Sequence, residues 1–529
     1  MRRIGVAVAS LLATVGIAAC GGGGSSKTGS GADPAGMVPA SAVFYASATI
    51  QPGSSQVQAL EHVVNRLGGS GTWNRFLAQL DHSLSSGQVS YDKDFKPWIG
   101  GRVGLALTKW PANLATSLGG GLIPSLGGGS VSNLGGPVIR LPTTASSASA
   151  GNNTDDVLLV FPTDHPDKAR QALPTLEQGA SASGVTGKVV GHYVLFGGQA
   201  AVSAAQSVSP RNSLASSSAY RATASRARAN ALASFYLNLH SFVQVIRSAA
   251  NSGSANPGSF NLQPSPGLLR ALSSIPANAS AMASVSVTNQ AITFDVTYHG
   301  FKSQASAGSA TVGSLPGDSW LAVALHGIST HSITQVFSEL GQIEASSAGQ
   351  ISPSQIQGVR RFGRVIEGMF PDGIGQISLS IAGASQTTKA GLSVDAKGTQ
   401  TAQHAVSTLY SLITAGGGNV SGSPSAFSMP ASNFSLRVGS TGSDVVATLG
   451  YPSSSAFASP ASKLSGDATY QTAVGQLAAG SSVPLYLNFD KLLAVVPTAS
   501  QQTRSTLQKL SYLIVGSSDG DFRVVLGLH

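Results

Sequence analysis

Hydrophobic and polar residues alternate along several short segments of the chain, with the two-residue period of a β-strand. In the segment 43–50, Phe44, Ala46, Ala48 and Ile50 share one parity, so one face of this strand is apolar. Further strands are predicted at 103–107, 157–161, 377–381 and 390–394. Short polar turns such as 288–290 and 518–520 join neighbouring strands. Connections this short favour antiparallel pairing.

Other segments follow the 3.6-residue period of an amphipathic helix. One apolar stripe runs through Val57, Leu60, Val63, Val64 and Leu67, and the glycines at 68–69 end it. A second helix is predicted from Trp73 onward, and a third after the capping residue Ser332. The two periods together predict an α+β fold, a mainly antiparallel sheet with helices packed on one face.

The second half of the chain repeats the first. Tyr220 recurs as Tyr470 at a displacement of 250 residues, and the run 236–239 recurs at the same displacement as 486–489. The helical stripe of Ala169 and Leu173 recurs as Ala402 and Val406, at a displacement of 233. We therefore predict two tandem homologous modules.

The repeat predicts a first α+β module at 37–300, a linker at 301–314 and a second α+β module at 315–529. The residues before the first module are predicted, from the cysteine motif described next and from their Gly/Ser composition, to be a lipoprotein signal peptide at 1–19 and a flexible Gly/Ser tether at 20–36. The first module contains a glycine-rich insertion at about 111–153, in which the pattern Ser-Leu-Gly-Gly-Gly recurs.

Cys20 is the only cysteine in 529 residues, and it directly follows Ile17-Ala18-Ala19. A branched aliphatic residue three places before a cysteine, with small residues between, is the pattern of a bacterial lipobox. The cationic start and the apolar stretch 4–17 have the order and length of a secretory signal peptide. We expect lipid attachment at Cys20, with palmitate-type acyl chains holding the mature protein on the outer face of the cell membrane.

Charged residues make up only 10% of the chain, where about a quarter is typical. The net charge of +9 is spread thinly, and its densest clusters, 221–228 and 360–364, lack the interleaved aromatic residues that base stacking requires. We expect no nucleic-acid partner. The charge supports at most a weak attraction to an anionic envelope polymer or to lipid headgroups.

Candidate catalytic motifs are isolated in the sequence. Ser90-Tyr91-Asp92-Lys93 has the Ser-x-x-Lys spacing of penicillin-binding serine enzymes, but Lys27-Thr28-Gly29 precedes it, in the reverse of the catalytic order. His326 and His331 lie close in sequence without a third ligand at suitable spacing. The sequence therefore predicts no catalytic residue, no metal and no cofactor, and it favours a role other than that of an enzyme.

Two asparagine–tyrosine pairs are the candidate ligand-binding residues. Asn238 follows Tyr236, and Asn488 follows Tyr486, each two places along a predicted strand. Because side chains two residues apart share a strand face, each pair faces the same way at equivalent places in the two repeats. These residues are candidates for lining a cleft, while the alternative is that each asparagine satisfies backbone groups at a strand end.

The chain resembles an uncharacterised family of secreted and lipid-anchored bacterial proteins, known as a domain of unknown function (3352). The resemblance rests on the opening 38–42 before an apolar strand, the helix after Asp164, the helix around Tyr220, the run 236–239 and the lipobox. It covers roughly residues 37–529. The resemblance implies no activity, cofactor or partner.

Three functions are compatible with these features. The first is a non-catalytic binding or scaffolding lipoprotein of the cell envelope, with an envelope polymer, a lipid or a protein as partner. The second is a carrier of an apolar ligand, such as a lipid, held between a curved sheet and its helices. The third is an envelope serine hydrolase that uses Ser90.

Overall fold

The computed structural model describes residues 33–51, 53–85, 91–109, 153–180, 184–228, 230–251, 274–301, 312–327, 365–383, 387–431, 434–496, 500–518 and 521–529. Cys20, the signal peptide, most of the tether, nearly all of the glycine-rich insertion, the helix predicted after Ser332 and most of the linker lie outside them. The chain divides into two compact units, Met1–Lys302 and Ser303–His529. They are called here the first unit and the second unit.

The first unit is built on an antiparallel sheet of β1 (Phe44–Thr49), β2 (Arg102–Leu107), β3 (Val157–Pro162), β4 (Val185–Val190), β5 (Tyr193–Gly198), β6 (Ala233–Asn238), β7 (Ser280–Val287) and β8 (Ala291–His299). The spatial order is β4-β5-β3-β2-β1-β6-β7-β8. The first strand along the chain therefore lies in the interior of the sheet.

The helices of the first unit are α1 (Ser55–Gly68), α2 (Thr72–Ser85), α3 (Pro166–Ala180), α4 (Gln199–Gln206), α5 (Ser218–Ala224) and α6 (Leu239–Asn251). Shorter helical turns lie at Pro34–Met37, Tyr91–Phe95, Asn153–Asp156 and Leu214–Ser216. The stripe predicted for α1 is confirmed at Val57 and Val63, which are buried, and Ser54 caps this helix through the amide of Val57.

Helices cover both faces of this sheet, so the prediction that they pack on one face is wrong for the first unit. On β3, Leu158 and Val160 belong to a core that includes Ala201 of α4. Their neighbours Leu159 and Phe161 point the other way, into a second core that contains buried residues of α3. A strand buried on both faces carries a continuous apolar run rather than an alternation, as 157–161 does.

The second unit is also built on an antiparallel sheet. Its strands are β9 (Ser319–His326), β10 (Gln376–Ala382), β11 (Lys389–Asp395), β12 (Ser421–Ser423), β13 (Ala426–Ala431), β14 (Phe434–Thr441), β15 (Asp444–Leu449), β16 (Ser482–Asn488), β17 (Leu510–Ser518) and β18 (Asp521–Leu528). They lie in the order β12-β13-β14-β15-β11-β10-β9-β16-β17-β18. The α+β class with antiparallel pairing is therefore confirmed.

The helices of the second unit are α7 (Thr399–Ala415), α8 (Ser454–Ala458), α9 (Ala468–Val474), α10 (Phe489–Val495) and α11 (Gln501–Leu507). Helix α7 buries Ala402, Ala405 and Val406, the stripe identified in the sequence, against strands β14 and β15. Among the described helices of the chain, none has both the length and the hydrophobicity that a membrane span requires.

Candidate functional site

Asn238 lies at the end of β6, where the chain turns into α6. Its side-chain Oδ1 accepts a hydrogen bond from the backbone amide of Ser241, at 3.1 Å. The first amides of a helix have no partner inside the helix, so a side-chain acceptor at this position caps it. The side-chain oxygen of Asn238 therefore serves as the N-terminal cap of α6.

Asn488 has the same place at the end of β16. Its Oδ1 accepts from the amide of Lys491 at 3.0 Å, and its Nδ2 donates to the hydroxyl of Tyr486 at 3.1 Å. The residue is 2% exposed. Both ends of this amide are therefore engaged inside the protein, with one bond to the backbone of α10 and one to the neighbouring tyrosine.

Each candidate tyrosine packs edge-to-face on a second tyrosine from the preceding helix. The Tyr220 and Tyr236 ring centroids lie 5.3 Å apart, and those of Tyr470 and Tyr486 lie 5.0 Å apart. Burial raises the pKa of Tyr236 and, more strongly, that of Tyr486, while hydrogen bonds with Ser280 and Asn488 respectively oppose the shift. Both phenols stay neutral at physiological pH, so neither is a general base.

A row of polar side chains crosses the first unit's sheet and was missed in the sequence. Ser47, Ser234, Ser284 and Asp295 lie directly opposite one another on β1, β6, β7 and β8. All four are more than nine-tenths buried. We call this set the polar row.

An arginine lies at each end of the polar row. Arg102 donates from Nε to the Ser47 hydroxyl at 3.2 Å and from Nη2 to that of Ser234 at 3.4 Å, and the two hydroxyls lie 2.8 Å apart. At the other end, the Nε of Arg228 lies 3.1 Å from Oδ2 of Asp295. Arg102 thus supplies hydrogen bonds to two buried hydroxyl groups, and Arg228 forms an ion pair with the buried Asp295 carboxylate.

On β6, β7 and β8, the opposite face of the sheet is apolar and partly exposed. Phe235 on β6 is 40% exposed, and Phe294 and Tyr298 on β8 are 39% and 41% exposed. Between them, Ala281 and Ala283 of β7 form a partly exposed floor. We call this surface, with aromatic walls and an alanine floor, the apolar trough.

The sequence does carry a signal for both features. In the segments 280–287 and 291–299, every second residue lies on one face of its strand. On one face these residues are mostly Ser, Thr and Asp295, with Met282 and Ala291 among them, and on the other face they are apolar. Alternation alone predicts that the apolar parity is the buried one. Here the polar parity is buried instead, because α5 and the following turn cover that face through contacts such as Thr297 Oγ1 to the Thr223 carbonyl, at 3.3 Å.

The second unit brings two carboxylates together at the ends of paired strands. Asp395 and Asp444 lie opposite each other on β11 and β15, and Asp444 accepts a hydrogen bond from Ser393 at 2.9 Å. Burial raises the pKa of Asp444, the bond from Ser393 lowers it, and the nearby Asp395 raises it. Asp395 caps a tight turn by accepting from the amide of Lys397, at 2.9 Å.

The predicted motifs with chemistry fall mainly outside the described residues. Ser90, Cys20, Lys27 and His331 all lie there, while Lys93 and His326 are described. In the part of the chain that the structure describes, no three His, Cys, Asp or Glu side chains are grouped to hold a metal ion.

Residues 4–193 match the family model described as "Protein of unknown function (DUF3352)". The resemblance to this domain of unknown function is thereby confirmed over residues 4–193, a segment that ends at the start of β5. No curated protein and no solved structure has significant similarity to the chain.

Proposed function

We propose that this protein is a membrane-anchored extracytoplasmic lipoprotein, built from two copies of one α+β module, with a non-catalytic binding or scaffolding role in the cell envelope. The observation that carries the duplication is the strand order. The order β4-β5-β3-β2-β1-β6-β7-β8 recurs as β14-β15-β11-β10-β9-β16-β17-β18, with β12 and β13 added at the edge.

Local contacts recur along with the strand order. The amide of Leu214 donates to the Val38 carbonyl at 2.7 Å, and that of Leu464 donates to the Leu315 carbonyl at 2.8 Å. In both units this bond ties the entry of the first strand to the turn before the short tyrosine helix. Such agreement in long-range detail is what duplication of one module produces.

The polar groups that the two copies share support a non-catalytic role. The Asn–Tyr pairs cap helices and fill cores, and the phenols stay protonated. A catalytic site instead needs groups with pKa values matched to proton transfer and side chains aimed at a substrate. The shared residues hold the module together, which suits a protein that binds or displays.

The anchor is tested by metabolic labelling. Cells grown with an alkyne-bearing palmitate should incorporate the label into the wild-type protein and not into Cys20→Ser, because only the thiol of Cys20 accepts the lipid. A matched Ser25→Ala variant, altered in the predicted tether, should be labelled like the wild type. Absence of label from all three proteins, with equal release into the medium, would contradict the lipoprotein assignment.

A carrier of an apolar ligand is the second candidate, and the open apolar faces favour it. Besides the apolar trough of the first unit, the second unit exposes Leu325, Leu392 and Phe522, each more than one-third, on its sheet. Large exposed apolar patches on protein surfaces commonly mark ligand-binding grooves or interaction sites.

A further inference from the structure

The chain enters the first unit at one fixed place. Pro34–Met37 forms a helical turn near the end of the predicted tether, and Ala35 and Val38 are fully buried. Asp33 caps this turn, since its Oδ1 accepts a hydrogen bond from the Ala35 amide at 3.0 Å. Because these residues are part of the core, a lipid on Cys20 would hold the unit by this point of its surface. We call this point the entry point.

The chain between the predicted anchor and the entry point is short compared with the unit that it holds. Residues 20–32 separate the two, and most of them are Gly or Ser. A chain of that length and composition has an r.m.s. reach of about 20 Å. A globular domain of the size of the first unit is about 50 Å across. The surface around the entry point is therefore held closer to the lipid than the far side of the unit is.

An arginine lies beside the entry point in the structure. The amide of Ala40 donates to the Asn212 carbonyl at 3.2 Å, and Pro39 forms an antiparallel bridge with Ser213. Arg211, which is exposed, directly precedes Asn212 in the chain. The segment that carries Arg211 thus runs alongside the residues that follow the entry point.

Arg221 belongs to the same compact segment. The Ser216 hydroxyl donates to the Arg211 carbonyl at 2.9 Å, which folds the chain back on itself before α5. On α5, Tyr220 and Thr223 are buried and Arg221 is exposed. Among the described residues, the guanidinium groups of Arg211 and Arg221 have neither an ion pair nor a hydrogen bond. Both are therefore available to an anionic partner.

Carboxylates are scarce around these two arginines. The sequence contains no Asp or Glu between Glu177 and Asp295. Asp295 is buried and lies in an ion pair with Arg228, so it does not offset the exposed arginines. Asp33 is the one carboxylate at the entry point itself, and its Oδ1 is bonded to a backbone amide. The two free guanidinium groups thus leave this surface with a positive charge.

The second unit does without this charge. At the displacement of 250 residues, Arg211 and Arg221 correspond to Ala461 and Gln471. The equivalent helix α9 keeps its buried tyrosine, Tyr470. The fold therefore requires neither arginine, and the copy that carries both is the one that follows the predicted tether.

We infer that the surface around Arg211 and Arg221, called here the basic face, rests on the anionic phospholipid headgroups of the membrane that holds the anchor. This inference rests on the proposed lipoprotein assignment, and it names the surface and the partner. A guanidinium group donates paired hydrogen bonds to phosphate oxygens, and each arginine near a leaflet rich in anionic lipid adds to the attraction.

The test uses lipidated full-length protein in phosphatidylglycerol vesicles that contain a lipid with a nitroxide on its headgroup. A fluorophore is attached at Ser218→Cys, on the exposed start of α5, or at Gln171→Cys, which is exposed on α3 across the sheet. Because Cys20 carries the lipid, each introduced thiol is the only one free for labelling. Quenching by the headgroup nitroxide should be strong at position 218 and weak at position 171. In phosphatidylcholine vesicles, quenching at position 218 should fall toward that at position 171.

The decisive variant is Arg211→Ala with Arg221→Gln, which gives the first unit the residues that the second unit carries. It should keep the melting temperature of the wild type, because both side chains are exposed and without partners. Measured by quenching at position 218, the ratio of docked to undocked protein should fall about thirtyfold, as expected for the loss of two arginines at an anionic surface. Lys168→Gln with Arg170→Gln is the control, since it removes two exposed charges from α3 and should leave this quenching unchanged.

Quenching at position 218 that persists in the folded double variant would overturn the inference. Equal quenching at positions 218 and 171 in the wild type would overturn it as well. A fluorescence change at position 218 on addition of soluble polyphosphate, without quenching by the headgroup nitroxide, would assign the arginines to an anionic envelope polymer and refute the lipid.

Flotation of the protein with the vesicles tests the anchor separately. Protein that floats but fails the quenching test would leave the lipoprotein assignment standing and refute only the basic face as a membrane contact. Protein that does not float would contradict the lipoprotein assignment, and the inference with it.

Discussion

Replacing Asn488 with alanine removes two hydrogen bonds at the buried end of β16. The loss of the helix cap on the Lys491 amide costs about 1 kcal/mol. The loss of the partner of the Tyr486 hydroxyl, inside the core, adds about 1 to 3 kcal/mol. We therefore expect Asn488→Ala to destabilise the second unit by about 2 to 4 kcal/mol.

Asn238→Ala is the matched comparison, because Asn238 caps α6 in the same way. The stability lost in this variant is that of the hydrogen bond from the Ser241 amide to Asn238 Oδ1. We expect a loss of about 1 kcal/mol in the first unit. Asn488→Ser should fall between the two, because a serine hydroxyl caps the helix and is too short to reach Tyr486.

Hydrogen exchange on peptides covering α6 and α10 measures both losses in the unit where they occur, which matters in a chain of two units that need not unfold together. Exchange in α10 should accelerate far more in Asn488→Ala than exchange in α6 does in Asn238→Ala. Equal small effects, within about 0.5 kcal/mol of the wild type, would refute the structural role of Asn488. They would return both asparagines to the status of candidate ligand-binding residues.

Three further predictions concern charges and phenols. Arg228→Ala should destabilise the first unit by about 3 kcal/mol in urea unfolding, because it removes the ion pair that Arg228 makes with the buried Asp295 carboxylate. Asp295→Asn in the same background should recover part of the loss. Because burial raises the pKa of Asp444, the folded second unit binds this proton more tightly than the unfolded chain does. The stability contributed by this bound proton is therefore lost as the pH rises from the pKa of Asp444 in the unfolded chain through its pKa in the folded unit. Asp444→Asn should accordingly stabilise the second unit at pH 7 and change its stability little at pH 3. Finally, burial raises the pKa values of Tyr45 and Tyr220, so an absorbance titration at 295 nm should show phenols that ionise only when alkali unfolds the protein; ionisation of all tyrosines near pH 10 in the folded state would contradict this.

The α+β class and the apolar stripes that recur between the two halves of the chain could be predicted from the sequence, because both depend on local periodicity. The stripe of Ala402 and Val406 was visible as a face and is buried as one. Strand β1 was visible from its alternation, and the structure places it at Phe44–Thr49. Short polar turns correctly indicated antiparallel neighbours, as in the β7–β8 hairpin.

Which face of a strand is covered could not be read in the same way. The parity of Ser284 and Asp295 looks like a solvent face, but long-range contacts of the segment after α5 bury it. Coverage of both faces of β3 likewise depends on α3 and α4, which follow β3 in the chain and pack on opposite sides of it. The periodicity of the sequence shows that the two faces of a strand differ in polarity, but the tertiary packing determines which face is buried.

The first residue of the mature protein decides most directly whether this chain is a lipid-anchored pair of modules. Mass spectrometry of the N-terminal peptide from membrane-extracted protein should find Cys20 as the first residue, with a mass increase that corresponds to a thioether-linked diacylglycerol. A peptide that retains Met1, or one that begins at Cys20 with an unmodified thiol, would contradict the proposal.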